Sequence, residues 1–244
     1  MLHKHSSTAD KESFGGSDLL AELAGEATKK VKAIQSDELD RQARSDRLHE
    51  ALGKLFQFLN QFSSHLNKIK PAIPRSYCIH RQTVYKELQW SEASADYRKQ
   101  SLSDNAYMDH VSFRVKLAAL DPVSVKRRWY EVEDLKKELN DFGLRPLENL
   151  DNLVRGKPQQ EFFQAELAPD FLLRIQFQGN YDTGKIDLLC NNFDGFGLAA
   201  YILNPEDVNQ QLLDEIGRFL LGRKDSLPAI LGSTRYVPNH PVYR

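Results

Sequence analysis

Apolar residues between residues 17 and 70 recur at alternating spacings of three and four, which is the heptad pattern of an amphipathic helix. Proline is absent between Ser17 and Pro71, and Lys68 lies near the end of this stretch, where a positive charge favours the helix dipole. The pattern therefore predicts a long helix of coiled-coil character over residues 17–70. Its predicted contact residues for a partner helix are Leu20, Ala27, Ile34, Leu48, Leu52, Leu55, Leu59, Phe62, Leu66 and Ile69.

The middle of this helix is polar, which leaves a second arrangement open. The two heptad positions that carry the apolar residues form the seam of the helix. Glu38, Arg41 and Ser45 occupy seam positions without shifting the phase of the repeat. A helical hairpin folded at residues 36–46 would bury the apolar stripe within the chain, and Ser36 could cap its second helix. A turn has little reason to preserve heptad phase, so the pattern favours self-association or capture of a partner helix.

The second half of the helix carries a wider apolar stripe than the first half. Ala51, Phe56 and Phe58 flank the seam there, whereas residues 17–35 have a narrow seam. A wide stripe indicates burial on more than one side. The second half is therefore expected to pack in a bundle or against the domain that follows.

Beyond Pro71 the apolar period changes to that of strands and short helices, which predicts an α+β domain over residues 74–222. Short hairpin connections favour an antiparallel sheet with two amphipathic helices on one face. One helix ends at Gly143, and the other is predicted to begin at Asn204. Residues 91–106 are polar and predict a mobile loop. Strands are predicted at residues 77–90, 111–117, 162–167, 171–177, 186–190 and 196–203.

The two ends of the chain are predicted to lie outside the domain. Residues 1–16 are expected to be a disordered tail, and residues 223–244, with three prolines in the last twenty positions, an extended tail. Residues 1–16 lack the apolar core of a secretory signal, and no apolar run approaches the roughly 20 residues that span a bilayer. With two cysteines, Cys78 and Cys190, the expected location is cytoplasmic, without membrane insertion.

One cluster offers a nucleic-acid-binding hypothesis, although the formal net charge of -1 gives no general attraction to polyanions. Basic and aromatic residues alternate there as they do on nucleic-acid surfaces. Acidic residues follow at once at Glu131, Glu133 and Asp134, so nucleic-acid binding is only the second alternative to assembly. The cluster consists of Lys126, Arg127, Arg128 and Trp129, followed by Tyr130.

No catalytic, cofactor or metal site is predicted. Asp141-Phe142-Gly143 matches a kinase tripeptide but lies at a predicted helix end, without the other kinase motifs. Cys190 and His80 could form a nucleophile pair only if their strands were adjacent, and Cys190 continues a predicted inward face. The sequence therefore favours a non-enzymatic assembly or adaptor protein. A ligand-sensing or enzymatic domain with a site built from scattered residues is the alternative.

Overall fold

The long helix is continuous in the computed structural model, which describes residues 18–80, 83–156 and 161–234. Helix α1 (Asp18–Ile69) has no hairpin turn at residues 36–46. Contacts divide the chain into two compact units, residues 1–43 and residues 44–244. The described part of the first unit, residues 18–43, is helical throughout.

In its described residues, the second unit contains the rest of α1, ten strands and four further α-helices. In chain order, the strands are β1 (Ala72–Ile73), β2 (Tyr77–His80), β3 (Thr83–Tyr85), β4 (Leu88–Lys99), β5 (Met108–Ala118), β6 (Val123–Arg128), β7 (Phe162–Leu167), β8 (Asp170–Asn180), β9 (Lys185–Asn191) and β10 (Leu198–Leu203). The helices are α2 (Val132–Phe142), α3 (Leu150–Gly156), α4 (Gln210–Leu220) and α5 (Ala229–Ser233).

Six of the strands form one antiparallel sheet in the order β1-β4-β5-β8-β9-β10. Along β5, buried Val111, Phe113, Val115 and Leu117 alternate with more exposed polar residues. Phe62 of α1 lies on the buried face, with ring-centroid distances of 6.0 Å to Trp90 and 6.3 Å to Phe113. Phe62 also lies against Gly217 of α4, so both helices pack near one another over the sheet. The predicted α+β class, a long helix followed by an antiparallel sheet with packed helices, is confirmed.

Two smaller antiparallel ladders complete the second unit, one formed by β2 and β3 and the other by β6 and β7. Helix α2 follows β6 and ends at Gly143, whose φ of 67° is the left-handed conformation that glycine adopts without strain. The predicted helix end at the Asp141-Phe142-Gly143 tripeptide is therefore confirmed.

The prediction of a mobile loop at residues 91–106 is wrong for its first part. Strand β4 continues to Lys99 and pairs with β5 along its length. Its inward positions carry the small residues Ala93 and Ala95, so the stretch lacks the apolar alternation expected of a half-buried strand. The small side chains leave room for α1, whose Asn67 side chain donates to the Ala93 carbonyl at 2.8 Å and accepts from the Ala93 N–H at 2.7 Å.

Two further elements differ from the predictions. The segment after Asn204 forms a single 3-10 turn, and α4 begins at Gln210 with Asn209 as its cap, accepting from the Leu212 N–H at 3.0 Å. Instead of an extended segment, residues 229–233 form α5, where Leu231 is fully buried. The predicted tail at residues 1–16 and the last ten residues lie outside the described part of the chain.

Asp170 joins the sheet to the loop that follows α2. Its carboxylate lies 2.8 Å from the Lys116 ammonium and 3.0 Å from the Arg145 guanidinium. Burial raises the pKa of this carboxyl, but the hydrogen bond and charge of Lys116, together with the charge of Arg145, outweigh burial and leave the pKa below its usual value. The ionised form is therefore favoured by folding.

Replacement of Asp170 by asparagine is expected to lower the free energy of unfolding by about 1 kcal/mol at neutral pH. A carboxyl whose pKa is lowered by folding stabilises the protein above its unfolded pKa, and that contribution is lost as the pH falls through the folded pKa. The difference between parent and variant should therefore shrink below about pH 4. Urea unfolding across the acid range measures this, with Asp121→Asn at an exposed turn as the control. A difference that persists unchanged in acid would show that Asp170 acts through packing rather than charge.

Candidate interaction site on the long helix

The apolar seam of α1 changes its environment along the helix. Leu20 is 64% exposed and Ile34 55% exposed, whereas Leu52 and Leu55 are completely buried. All of these residues lie at the two seam positions of the same heptad repeat. The repeat is therefore exposed in its first half and buried in its second half, with the change occurring between residues 43 and 48.

The buried half of the seam packs within its own chain. Of the seven predicted contact residues in this half, Phe62 is partly buried against the core, and Ile69 at the helix end is 67% exposed. The remaining five belong to the hydrophobic core, where they are not accessible to a second chain. These core residues are Leu48, Leu52, Leu55, Leu59 and Leu66.

Polar contacts fix the same half of the helix to the sheet. The His49 Nδ1 accepts from the Met108 N–H at 3.1 Å, and the Tyr107 hydroxyl donates to Asp46 at 2.7 Å. At the other end, the Asn67 side chain accepts from the Trp90 indole N–H at 3.1 Å. These contacts anchor residues 46–67 in the second unit at both ends.

Residues 18–43 have a different character, because every residue in this segment is exposed. Glu38 and Arg41, which interrupt the seam, form an ion pair at 3.6 Å along the helix. An isolated helix of this length gains most of its stability from packing of its apolar face, which this segment leaves open. The large exposed apolar residues are Leu19, Leu20, Leu23, Val31, Ile34 and Leu39.

The basic-aromatic cluster is divided between the two faces of β6. Lys126 and Arg128 point outward, whereas Arg127 is only 7% exposed and its guanidinium lies 3.7 Å from Glu138. The Lys126 ammonium lies 4.3 Å from the centre of the Phe162 ring. Trp129 is half-buried and makes an edge-to-face contact with Phe163, with 5.5 Å between the two ring centroids. The strand therefore brings only two of the three cations to one surface.

An open groove of about 740 Å³ lies between α1 and the segment that leads into α4. Phe58 and Phe62 supply its apolar lining, and the polar lining includes His65 and Asn209. This groove is where the ligand-binding alternative would place its site. The sequence offered no signal for it, because its two walls are about 150 residues apart in the chain.

The two thiols lie in unlike environments. Cys78 is exposed, whereas Cys190 is buried, and burial, with a smaller effect of the Asp194 charge, raises the pKa of its thiol well above the usual value. A buried thiol of this kind is a poor nucleophile, as expected from its inward position in β9. The side chain of His80 lies outside the described residues.

The described part of the chain contains neither a metal-binding cluster nor a helix that could span a membrane. No group of three histidine, cysteine or acidic residues in residues 18–80, 83–156 and 161–234 could hold a metal ion. In the same ranges, no helix combines the length and the apolar character needed to cross a bilayer.

The open face of the sheet holds one arrangement that sequence reasoning missed. Arg114 on β5 lies directly opposite Arg174 on β8, and Arg114 is also paired with Asp96 at 2.8 Å. The alternation of buried and exposed residues along β5 and β8 places both arginines on the polar face. Their pairing depends on the strand register, which a single sequence does not reveal.

Comparison of the chain with models of protein families, with curated proteins and with solved structures finds no match.

Proposed function

We propose that this protein is a non-enzymatic assembly or adaptor protein of the cytoplasm. In this proposal, residues 18–43 of α1 are the interaction element that binds a second helix, and the α+β unit presents a recognition surface. The observation that carries the proposal is the exposed seam of residues 18–43, which continues in heptad phase from a half that is anchored in its own core.

The size of the exposed apolar surface supports an interaction. Full burial of one leucine, isoleucine or valine side chain stabilises a protein by about 1.5–3 kcal/mol. Leu20, Val31 and Ile34 are each at least half exposed on one helical seam, so a partner helix would recover several such contributions. Single exposed apolar residues are ordinary, but a stripe at heptad spacing is typical of coiled-coil partners.

The alternatives have less support. Nucleic-acid binding would rest on Lys126 and Arg128, each of which already lies near an aromatic ring of its own chain. A ligand-sensing or enzymatic function would rest on the groove beside Phe58 and Phe62, which is open rather than enclosed by converging polar groups. The interaction hypothesis accounts for the exposed heptad seam of residues 18–43, which the two alternatives leave unexplained.

Replacement of Ile34 by glutamate is expected to weaken self-association by at least about tenfold, because a carboxylate would have to be buried in the seam. Lys29→Glu is the matched control, since Lys29 lies on the outer side of the same helix, a little more than one turn before Ile34. Light scattering of the full-length chain over a range of concentrations measures both variants. A monomeric mass of the parent at every concentration would contradict self-assembly, and an equal effect of both variants would contradict the seam as its site.

A further inference from the structure

The identity of the partner can be inferred from the charged residues on and beside the exposed seam, on the premise of the proposed function. In coiled-coil notation, the seam positions a and d are flanked by positions e and g. Within residues 18–43, position g carries Lys30 and Asp37, while position e carries no charge. Position a holds Ala24, Val31 and Glu38, and position d holds Leu20, Ala27, Ile34 and Arg41.

A parallel pairing of two copies would place like charges together. In a parallel dimer in register, a faces a and d faces d, so Glu38 would meet Glu38 and Arg41 would meet Arg41 of the second copy. The flanking pairs would join position g to position e, which leaves Lys30 opposite Gln35. This arrangement has two repulsive layers and no compensating ion pair.

An antiparallel pairing removes both conflicts. There, a faces d of the second copy, and g faces g. With Val31 opposite Ile34 at the centre, Ala27 lies opposite Glu38, and Ala24 lies opposite Arg41. Long side chains then face alanines, and their charged ends can extend past the small residues to water. The seam is filled without placing two like charges in one layer.

The same alignment places Lys30 opposite Asp37 of the second copy, and Asp37 opposite Lys30, so it forms two ion pairs by symmetry. A shift of one heptad would place Lys30 against Lys30, and that alignment is disfavoured. We propose that residues 18–43 bind a second copy of this chain as an antiparallel two-helix coiled coil, with its register set by Lys30 and Asp37.

Charge exchange at these two positions tests the proposal. Lys30→Asp alone places four acids at the two flanking pairs, and Asp37→Lys alone places four lysines there. Each single variant is expected to raise the dissociation constant about tenfold or more, and the double variant to restore it. An equimolar mixture of the two single variants should associate more tightly than either variant by itself. The exchange of Lys29 and Asp40, on the outer side of the helix, is the control and should change nothing.

The orientation of the helices gives a second readout. In a Cys78→Ser background, a spin label at Glu22→Cys would lie about 30 Å or more from its counterpart in the antiparallel dimer. In the parallel dimer, the two labels would be separated by roughly 10–20 Å. Pulsed electron resonance distinguishes these distances, and the buried Cys190 should not react with the label.

The outcomes separate this proposal from the proposed function. If Ile34→Glu dissociates the full-length chain while the double charge exchange fails to rescue the single variants, self-association stands and the antiparallel register is overturned. A short label distance overturns it as well. If the parent is monomeric throughout, the antiparallel pairing of two copies is overturned, and of the proposed function only an adaptor that binds the helix of a different protein is left.

Discussion

Replacement of Asn192 by leucine is expected to lower the free energy of unfolding by about 3 kcal/mol. Asn192 is 1% exposed and has a φ of 59°, a conformation that costs a branched or bulky residue about 1–2 kcal/mol. Its side-chain amide donates to the carbonyls of Phe142 and Leu172 at 2.8 and 2.9 Å, and its side-chain oxygen accepts from the Gly197 N–H at 3.1 Å. Leucine would remove all three hydrogen bonds, and each buried group left unpaired adds about 1 kcal/mol or more. Urea unfolding monitored by circular dichroism measures the change.

Two further variants separate the causes. Asn192→Gly keeps the left-handed backbone without strain and removes only the side-chain hydrogen bonds, so it should recover about 1 kcal/mol relative to leucine. The neighbouring Asn191 is the matched control, because its side-chain oxygen has no hydrogen-bond partner among the described residues. Asn191→Ala should therefore cost less than about 1 kcal/mol. If Asn192→Leu proved as mild as the control, the hydrogen bonds at this position would not hold α2 to the sheet.

The role of Asn192 illustrates which features the sequence could predict. A tight turn at Asp194–Gly195 between two strands follows from local turn chemistry. The contacts of Asn192 join residues 20 and 50 positions earlier in the chain. Contacts over such distances depend on the assembled sheet, and no local pattern indicates them.

Strand β4 shows a second limit of pattern reasoning. Residues 91–106 are rich in serine, alanine and acidic residues, which disfavour strands on average, and this composition predicts a loop. Yet Ala93, Ala95 and Tyr97 alternate with Ser94 and Asp96. If alanine is counted as apolar, this is the period of two that is typical of a strand. Small inward residues occur there because α1 lies close to the strand, so a tertiary contact overrode the local preference.

The long helix was the most predictable element, and the surface that buries its second half was the least. An unbroken heptad phase indicated one helix, since a turn would have no reason to keep the phase. Ala51, Phe56 and Phe58 widened the stripe and pointed to burial of the second half on more than one side. Whether that burial occurs within the chain or against another copy depends on the shape of the sheet face, which is defined only after folding.

A matched pair of leucines at the same heptad position tests this division directly. Leu55→Ala is expected to lower the free energy of unfolding by about 3 kcal/mol, because Leu55 is completely buried in the core and the substitution leaves a cavity. Leu20→Ala removes the same atoms at a position that is 64% exposed, so the unfolding of the monomer should change by less than about 0.5 kcal/mol. Urea unfolding at a concentration low enough to prevent association measures both.

The contrast should reverse when association is measured instead of stability. Leu20 contributes to the exposed seam, so Leu20→Ala should weaken self-association in the full-length chain while leaving its fold intact. Leu55 is completely buried and cannot contact a second chain. Leu55→Ala should therefore leave association unchanged under conditions in which the variant is folded. Equal losses of stability would mean that residues 18–43 are packed in the folded monomer as firmly as the rest of the helix. The seam of residues 18–43 would then be buried within the monomer like that of the second half, and it could not be the interaction element.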